Sequence, residues 1–303
     1  MNAPANAPWL EHGERGSRSA TRFMTWLALR GGRRVARLLL YPICAYFLAC
    51  SPRARSASRR YLALALGRPP RPADLWRHFF TFAAAVLDRV YFVDGRFARF
   101  DIEVRGLDRL RGTLAKGRGC LLLGAHLGSF ELLRTLAPEH RLSVNTVMYE
   151  ENAANITKAL NAQLDTALRE RTIVSGGVDT MLRIAECFAR GELVGMLGDR
   201  SAGSDKTVTC RFFGRDAAFP QGPLRIALSL RVPVYLVAGL YEGGKRYVIH
   251  LEPFCEEPDA DRAEQVAWTR EWTQRYAERL EHFCRLAPYN WFNFYDFWNG
   301  TPR

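Results

Sequence analysis

From residue 99 onward, apolar runs of strand length alternate with stretches of helical length, and that alternation leaves few folds open. Strands are predicted at 99–104, 120–125, 142–149, 193–197, 207–213, 232–241 and 246–254. Helices are predicted between and after them at 107–116, 130–137, 153–170, 179–190, 220–230 and 261–285. A run such as CLLLGA at 120–125 has no polar face, so its strand must be covered on both sides. The expected fold is therefore α/β, a mainly parallel mixed sheet flanked by helices, with an N-terminal helical membrane-associated segment.

The first hundred residues divide by composition. Residues 1–19 read as a flexible tail, 20–60 as a basic and apolar membrane-anchor segment and 61–98 as a helical lead-in, and helices are predicted at 54–67, across the second boundary, and at 73–92. An aromatic stripe on the second helix (Trp76, Phe79, Phe80, Phe82) suits core packing. Residues 1–60 hold eleven Arg against two acids, so they supply most of the net charge of +12. Cations beside apolar runs fit an anionic membrane surface. No nucleic-acid-binding motif accompanies the charge, so no nucleic-acid partner is expected. The run at 38–50 has thirteen residues without a charge, and Pro42 interrupts it. About 20 are needed to span a bilayer. Two principal readings stand: a helix lying in the interface, with Trp26, Tyr41, Tyr46 and Phe47 in the apolar layer, or a buried helix of the fold. A short spanning helix extended through 23–29 is a third.

Seven cysteines without a CxxC pair predict reduced core thiols. The six histidines are scattered without ligand spacing, so neither a metal nor a cofactor is expected.

Chemistry concentrates at 120–134, CLLLGAHLGSFELLR. An apolar strand ends at Gly124 and Ala125, and His126 follows at its C-terminal edge, where open α/β sheets place ligands. Gly128 and Ser129 suit a tight turn, with Ser129 a fair helix N-cap, and Glu131 falls in the first helical turn. On one continuous helix His126 and Glu131 would diverge by about 140°; with His126 in the preceding turn they can meet. A neutral imidazole can take the proton of a hydroxyl, and a carboxylate on its other nitrogen would fix the tautomer. His126 and Glu131 are the candidate catalytic pair. The nucleophile would then belong to the acceptor. There is no GxSxG elbow and no HExxH motif.

The segment GAHLGSFELLR resembles the His-x4-acid block of the late lipid A biosynthesis acyltransferases and, more widely, of the lysophospholipid acyltransferases. LVGMLGDR (193–200), TVTCRFFGRDAAFPQGPLRIAL (207–228) and RVPVYLVAGLY (231–241) are similar to later blocks of that family, in the same order. The resemblance covers roughly residues 100–285 and makes 99–285 an acyltransferase domain. It implies His126 as general base with Glu131 as partner. It also implies an acyl thioester donor, on acyl carrier protein or coenzyme A, a membrane lipid or glycolipid acceptor, and a place on the cytoplasmic face of the inner membrane. Asp199 and Arg200 would line the substrate pocket, with Gly128 and Ser129 beside the substrate; a structural Asp199–Arg200 ion pair is the competing reading. The aromatic C-terminal segment, 286–303, departs from the family's basic ending. It suits either a membrane-interface belt or a cap on the core. Two other functions fit the same residues: an acyl hydrolase, and a non-catalytic membrane-binding protein on this scaffold.

Overall fold

The computed structural model describes residues 18–129, 132–134, 137–149, 171–175, 178–201 and 205–298. Three helices lead: α1 (Arg18–Cys50), kinked at Gly32, then α2 (Pro52–Leu66) and α3 (Pro72–Val93). Strands β1 (Asp101–Arg105), β2 (Cys120–Gly124), β3 (Val144–Tyr149), β4 (Thr172–Ser175) and β5 (Leu193–Leu197) follow, with α4 (Leu107–Leu114) after β1 and α5 (Val178–Ala189) before β5. A hairpin of β6 (Thr207–Phe212) and β7 (Arg215–Pro220) precedes α6 (Gly222–Leu230), β8 (Val234–Gly243), β9 (Arg246–Cys255) and α7 (Gln265–Leu286).

Seven strands form one sheet in the order β1-β9-β8-β2-β5-β3-β4. The neighbours from β8 to β4 run parallel, and only β8 and β9 pair antiparallel. The α/β expectation holds, and the reason is visible in β2. Leu121 and Leu123 enter a core shared with α2, α6 and α7, whereas Cys120 and Leu122 enter a core shared with α1, α3 and α4. Both faces of the strand are covered, which is what an uninterrupted apolar run requires.

Two strands escape the sequence pattern. β4 has four residues, too few to show a period. β7 turns back from β6 through Phe213 and Gly214, both at positive φ, a two-residue turn of the kind that matches strand twist. Its last residue is Pro220, so the helix expected from 220 starts at Gly222. The expected helix at 153–170 lies outside the described residues, and that at 130–137 lies only partly within them.

The N-terminal segment has two faces. Ala28, Ala36, Leu40 and Cys44 are buried, while Phe23, Trp26, Leu38, Tyr41 and Tyr46 are exposed. Its buried face is fastened by charge. Arg33 donates through Nε and Nη2 to the two oxygens of Asp88 on α3, each at 2.7 Å, and Tyr247 donates its hydroxyl to the same carboxylate at 2.9 Å. Among the described residues, no single helix is long and apolar enough to cross a membrane; α1 and α2 meet at a 95° bend.

Candidate active site

The sheet register builds the site. β2 and β5 are parallel neighbours, and Gly124 lies opposite Leu197. His126 stands two residues past the first and Asp199 two residues past the second, so the backbone delivers them side by side although 73 positions separate them. The His126 Nδ1 lies 2.8 Å from Asp199 Oδ1, and the His126 backbone N–H points at both carboxylate oxygens, 3.1 Å from each. A carboxylate can only accept, so Nδ1 carries the proton and Nε2 keeps a lone pair. The His126 side chain is 31% exposed and that of Asp199 is fully buried. The arrangement has the imidazole outward and its carboxylate partner sealed behind it.

Between the two strand ends, Gly198 donates its N–H to Gly124 O at 3.0 Å. A side chain at 198 would meet Leu123 Cδ1 at 2.8 Å and the Tyr276 ring at 3.2 Å. Tyr276 in turn donates its hydroxyl to Gly124 O at 2.8 Å. The small residue before Asp199 is thus a packing requirement of the site.

Past His126 the loop is held from two sides. Gly128 N–H bonds to Asn290 O at 2.8 Å and Ser129 N–H to Gly239 O at 2.7 Å. Gly128 has φ +62°, and a Cβ there would fall 2.0 Å from Gly239 O. Only glycine permits that approach. Phe292 N–H bonds to His126 O at 2.9 Å, and the side chain of Asn290 clamps both main-chain groups of Tyr241 on β8. Asp199 Oδ2 accepts the indole N–H of Trp291 at 3.0 Å. Asn290, Trp291 and Asn293 are buried, so in this part of the aromatic C-terminal segment the core-capping reading describes the packing.

Of the residues singled out in the sequence, His126, Asp199, Arg200, Gly128 and Ser129 come together here. Glu131 lies outside the described residues. Asp199, expected in a pocket wall, sits on His126 Nδ1. Arg200 donates to Phe292 O at 2.6 Å and lies over the Tyr295 ring at 5.4 Å. Gly128 and Ser129 contribute main-chain bonds that shape the loop. Asn290, Trp291 and Tyr276 carry no motif that could have marked them.

Electrostatics suit a base. Burial and the Arg200 cation lower the His126 pKa more than Asp199 raises it. Burial alone would raise the Asp199 carboxyl. The His126 imidazole, Arg200 and the Trp291 N–H outweigh it and hold the group ionised, well below the usual carboxylate range. Among the described residues, no cluster of three or more His, Cys, Asp or Glu is placed to hold a metal ion.

A base, a sealed carboxylate and a strand-end loop suit acyl transfer to an outside hydroxyl. No curated protein matches the chain significantly. The model of one family does, that of the bacterial lipid A biosynthesis acyltransferases, over residues 12–299. With nearly its whole length matched, the chain belongs to the bacterial lipid A biosynthesis acyltransferase family.

Proposed function

We propose that this acyltransferase moves a fatty acyl group from an acyl thioester, carried by acyl carrier protein, to a hydroxyl of lipid A or a related membrane lipid, with His126 as general base. The observation that carries the proposal is the His126–Asp199 pair, with Nδ1 tied to a buried carboxylate and Nε2 left to accept a proton. The acceptor oxygen attacks the thioester carbonyl as its proton passes to Nε2. Asp199 stabilises the imidazolium so formed. Collapse of the tetrahedral intermediate expels the thiolate, which takes the proton back. Arg200 is the nearby cation for the developing oxyanion or for an acceptor phosphate. The exposed aromatics of α1, among the arginines of the same helix, support docking on the anionic cytoplasmic face of the inner membrane.

Mass spectrometry of total lipids tests the function. Cells lacking the gene are compared with cells complemented by the wild-type chain or by His126→Ala. A lipid that gains one acyl chain only with the wild type is the expected result. Free fatty acid without an acylated lipid would mark a hydrolase, and no change in any lipid would favour a non-catalytic scaffold.

A pH dependence follows from the site. His126 acts when neutral, and its lowered pKa keeps it neutral below the ordinary histidine value of about 6.5. The acid limb of kcat/KM is therefore expected below that pH. Arg200→Gln removes a cation, raises the His126 pKa and moves the limb to higher pH. Profiles of the two proteins from pH 5 to 9 check this; coincident limbs would separate Arg200 from the base.

A further inference from the structure

We propose that Trp291 is a positioning residue, whose indole N–H fixes the rotation of the Asp199 carboxylate and so the alignment of His126; this rests on the function proposed above. Asp199 is fully buried, and a buried carboxylate needs a donor on each oxygen. Oδ1 serves His126 Nδ1 at 2.8 Å, and both oxygens share the His126 backbone N–H at 3.1 Å. Among the described residues, the donor belonging to Oδ2 alone is Trp291 Nε1–H at 3.0 Å. Without it, Oδ2 keeps a shared, longer bond, and little resists rotation about Cβ–Cγ that swings Oδ1 away from Nδ1.

The indole is itself held. Its ring meets Tyr61, Phe212 and Phe297 edge to face, with centroids 4.9, 5.4 and 5.0 Å away. The Trp291 carbonyl accepts from His78 Nε2 at 2.9 Å. That carbonyl can only accept, so the His78 proton is on Nε2, and Nδ1 takes the Ser58 hydroxyl at 2.7 Å. A neutral His78 fits this role, since full burial pushes its pKa down to about 4. Ser58 on α2 and His78 on α3 are thereby linked through Trp291 to Asp199 and His126. The main chain adds a second tether, the bridge between Leu127 and Trp291. One segment therefore holds the loop of the base and the carboxylate behind it. Trp suits the position because its indole brings one donor and no acceptor into an apolar box.

The test uses full-length protein in detergent, with Trp291→Phe to keep a ring and remove the donor. Trp298→Phe is the control: it belongs to the same aromatic cluster, but its N–H goes to Phe212 O. Transfer is measured from an acyl carrier protein thioester to a lipid A precursor. The His126 titration is followed separately by NMR of ¹⁵N-labelled imidazole, which needs no turnover. In Trp291→Phe, kcat is expected to fall about tenfold with little change in KM, the scale of one charge-assisted hydrogen bond. The His126 pKa should fall, because a carboxylate swung away from Nδ1 stabilises the imidazolium less. Trp298→Phe should change neither. Equal losses in both variants with an unmoved His126 titration would reduce Trp291 to packing and overturn the proposal, as would an unchanged kcat in Trp291→Phe. If the wild type transfers no acyl group, the proposed function fails, and the titration alone decides the positioning role. If Trp291→Phe does not fold, the indole N–H resonance of Trp291 is compared between wild type and Asp199→Asn. A shift to higher field on losing the carboxylate supports the bond, and an unmoved resonance overturns it.

Discussion

Asp199→Asn is expected to lower kcat by about a thousandfold or more, the scale seen when the carboxylate of a catalytic triad becomes an amide. An amide offers one accepting oxygen and one donating NH2. The native carboxylate faces the His126 backbone N–H, His126 Nδ1 and the indole N–H of Trp291. With asparagine in place, one of these donors meets another donor. Relief comes if His126 moves its proton to Nε2 and accepts at Nδ1, and that tautomer cannot take a proton from the acceptor hydroxyl. The imidazolium also loses its counter-charge. The volume hardly changes, so the variant isolates charge and tautomer from packing. Turnover of purified protein, with circular dichroism as a check on folding, measures the effect. A loss below tenfold would remove Asp199 from the proton transfer.

The second large effect concerns stability. Arg33→Met should destabilise the protein by about 3–5 kcal/mol, because it strands a buried carboxylate. Asp88 has a fully buried side chain and that of Arg33 is 11% exposed, so water cannot replace the lost partner. Only the Tyr247 hydroxyl, at 2.9 Å, would remain of the described contacts to Asp88. The double variant Arg33→Met with Asp88→Leu should recover most of the loss, since an apolar pair of similar volume removes the charge along with its partner. Urea unfolding of wild type, single and double variants checks both statements. A single variant as stable as wild type would mean that α1 is held by its apolar face alone. Recovery in the double variant would place the cost on the unpaired charge.

The fold was legible where burial leaves a pattern. The run at 120–124 announces a strand covered on both faces, and β2 sits in mid-sheet between β8 and β5. β4 and β7 were not legible. Four residues show no period, and the turn that defines β7 depends on Phe213 at positive φ, an uncommon conformation for a bulky residue. The extent of α1 was obscured by Pro42, which reads as an interruption of the run at 38–50 yet lies inside the helix; the kink falls at Gly32 instead.

At the site, His126 was legible because a strand end, a histidine and a glycine occur together within a few residues. Asp199 was visible as a residue but not as the Nδ1 partner. That relation depends on β5 lying beside β2, and neighbourhood in a sheet is not written in either strand. Trp291 was less visible still. Its neighbours Phe292, Phe294 and Phe297 look alike in sequence, and only the fold selects which ring faces Asp199.

Because His126 and Asp199 each stand two steps beyond residues paired across β2 and β5, the sheet works as a jig for the imidazole and its carboxylate. Their spacing is set by backbone hydrogen bonds that resist small shifts and break together. A jig of this kind does not wear gradually. One residue inserted after Gly124 would slide the imidazole past its carboxylate and carry another side chain to the place where only glycine fits, although the core contacts of β2 itself stay in place.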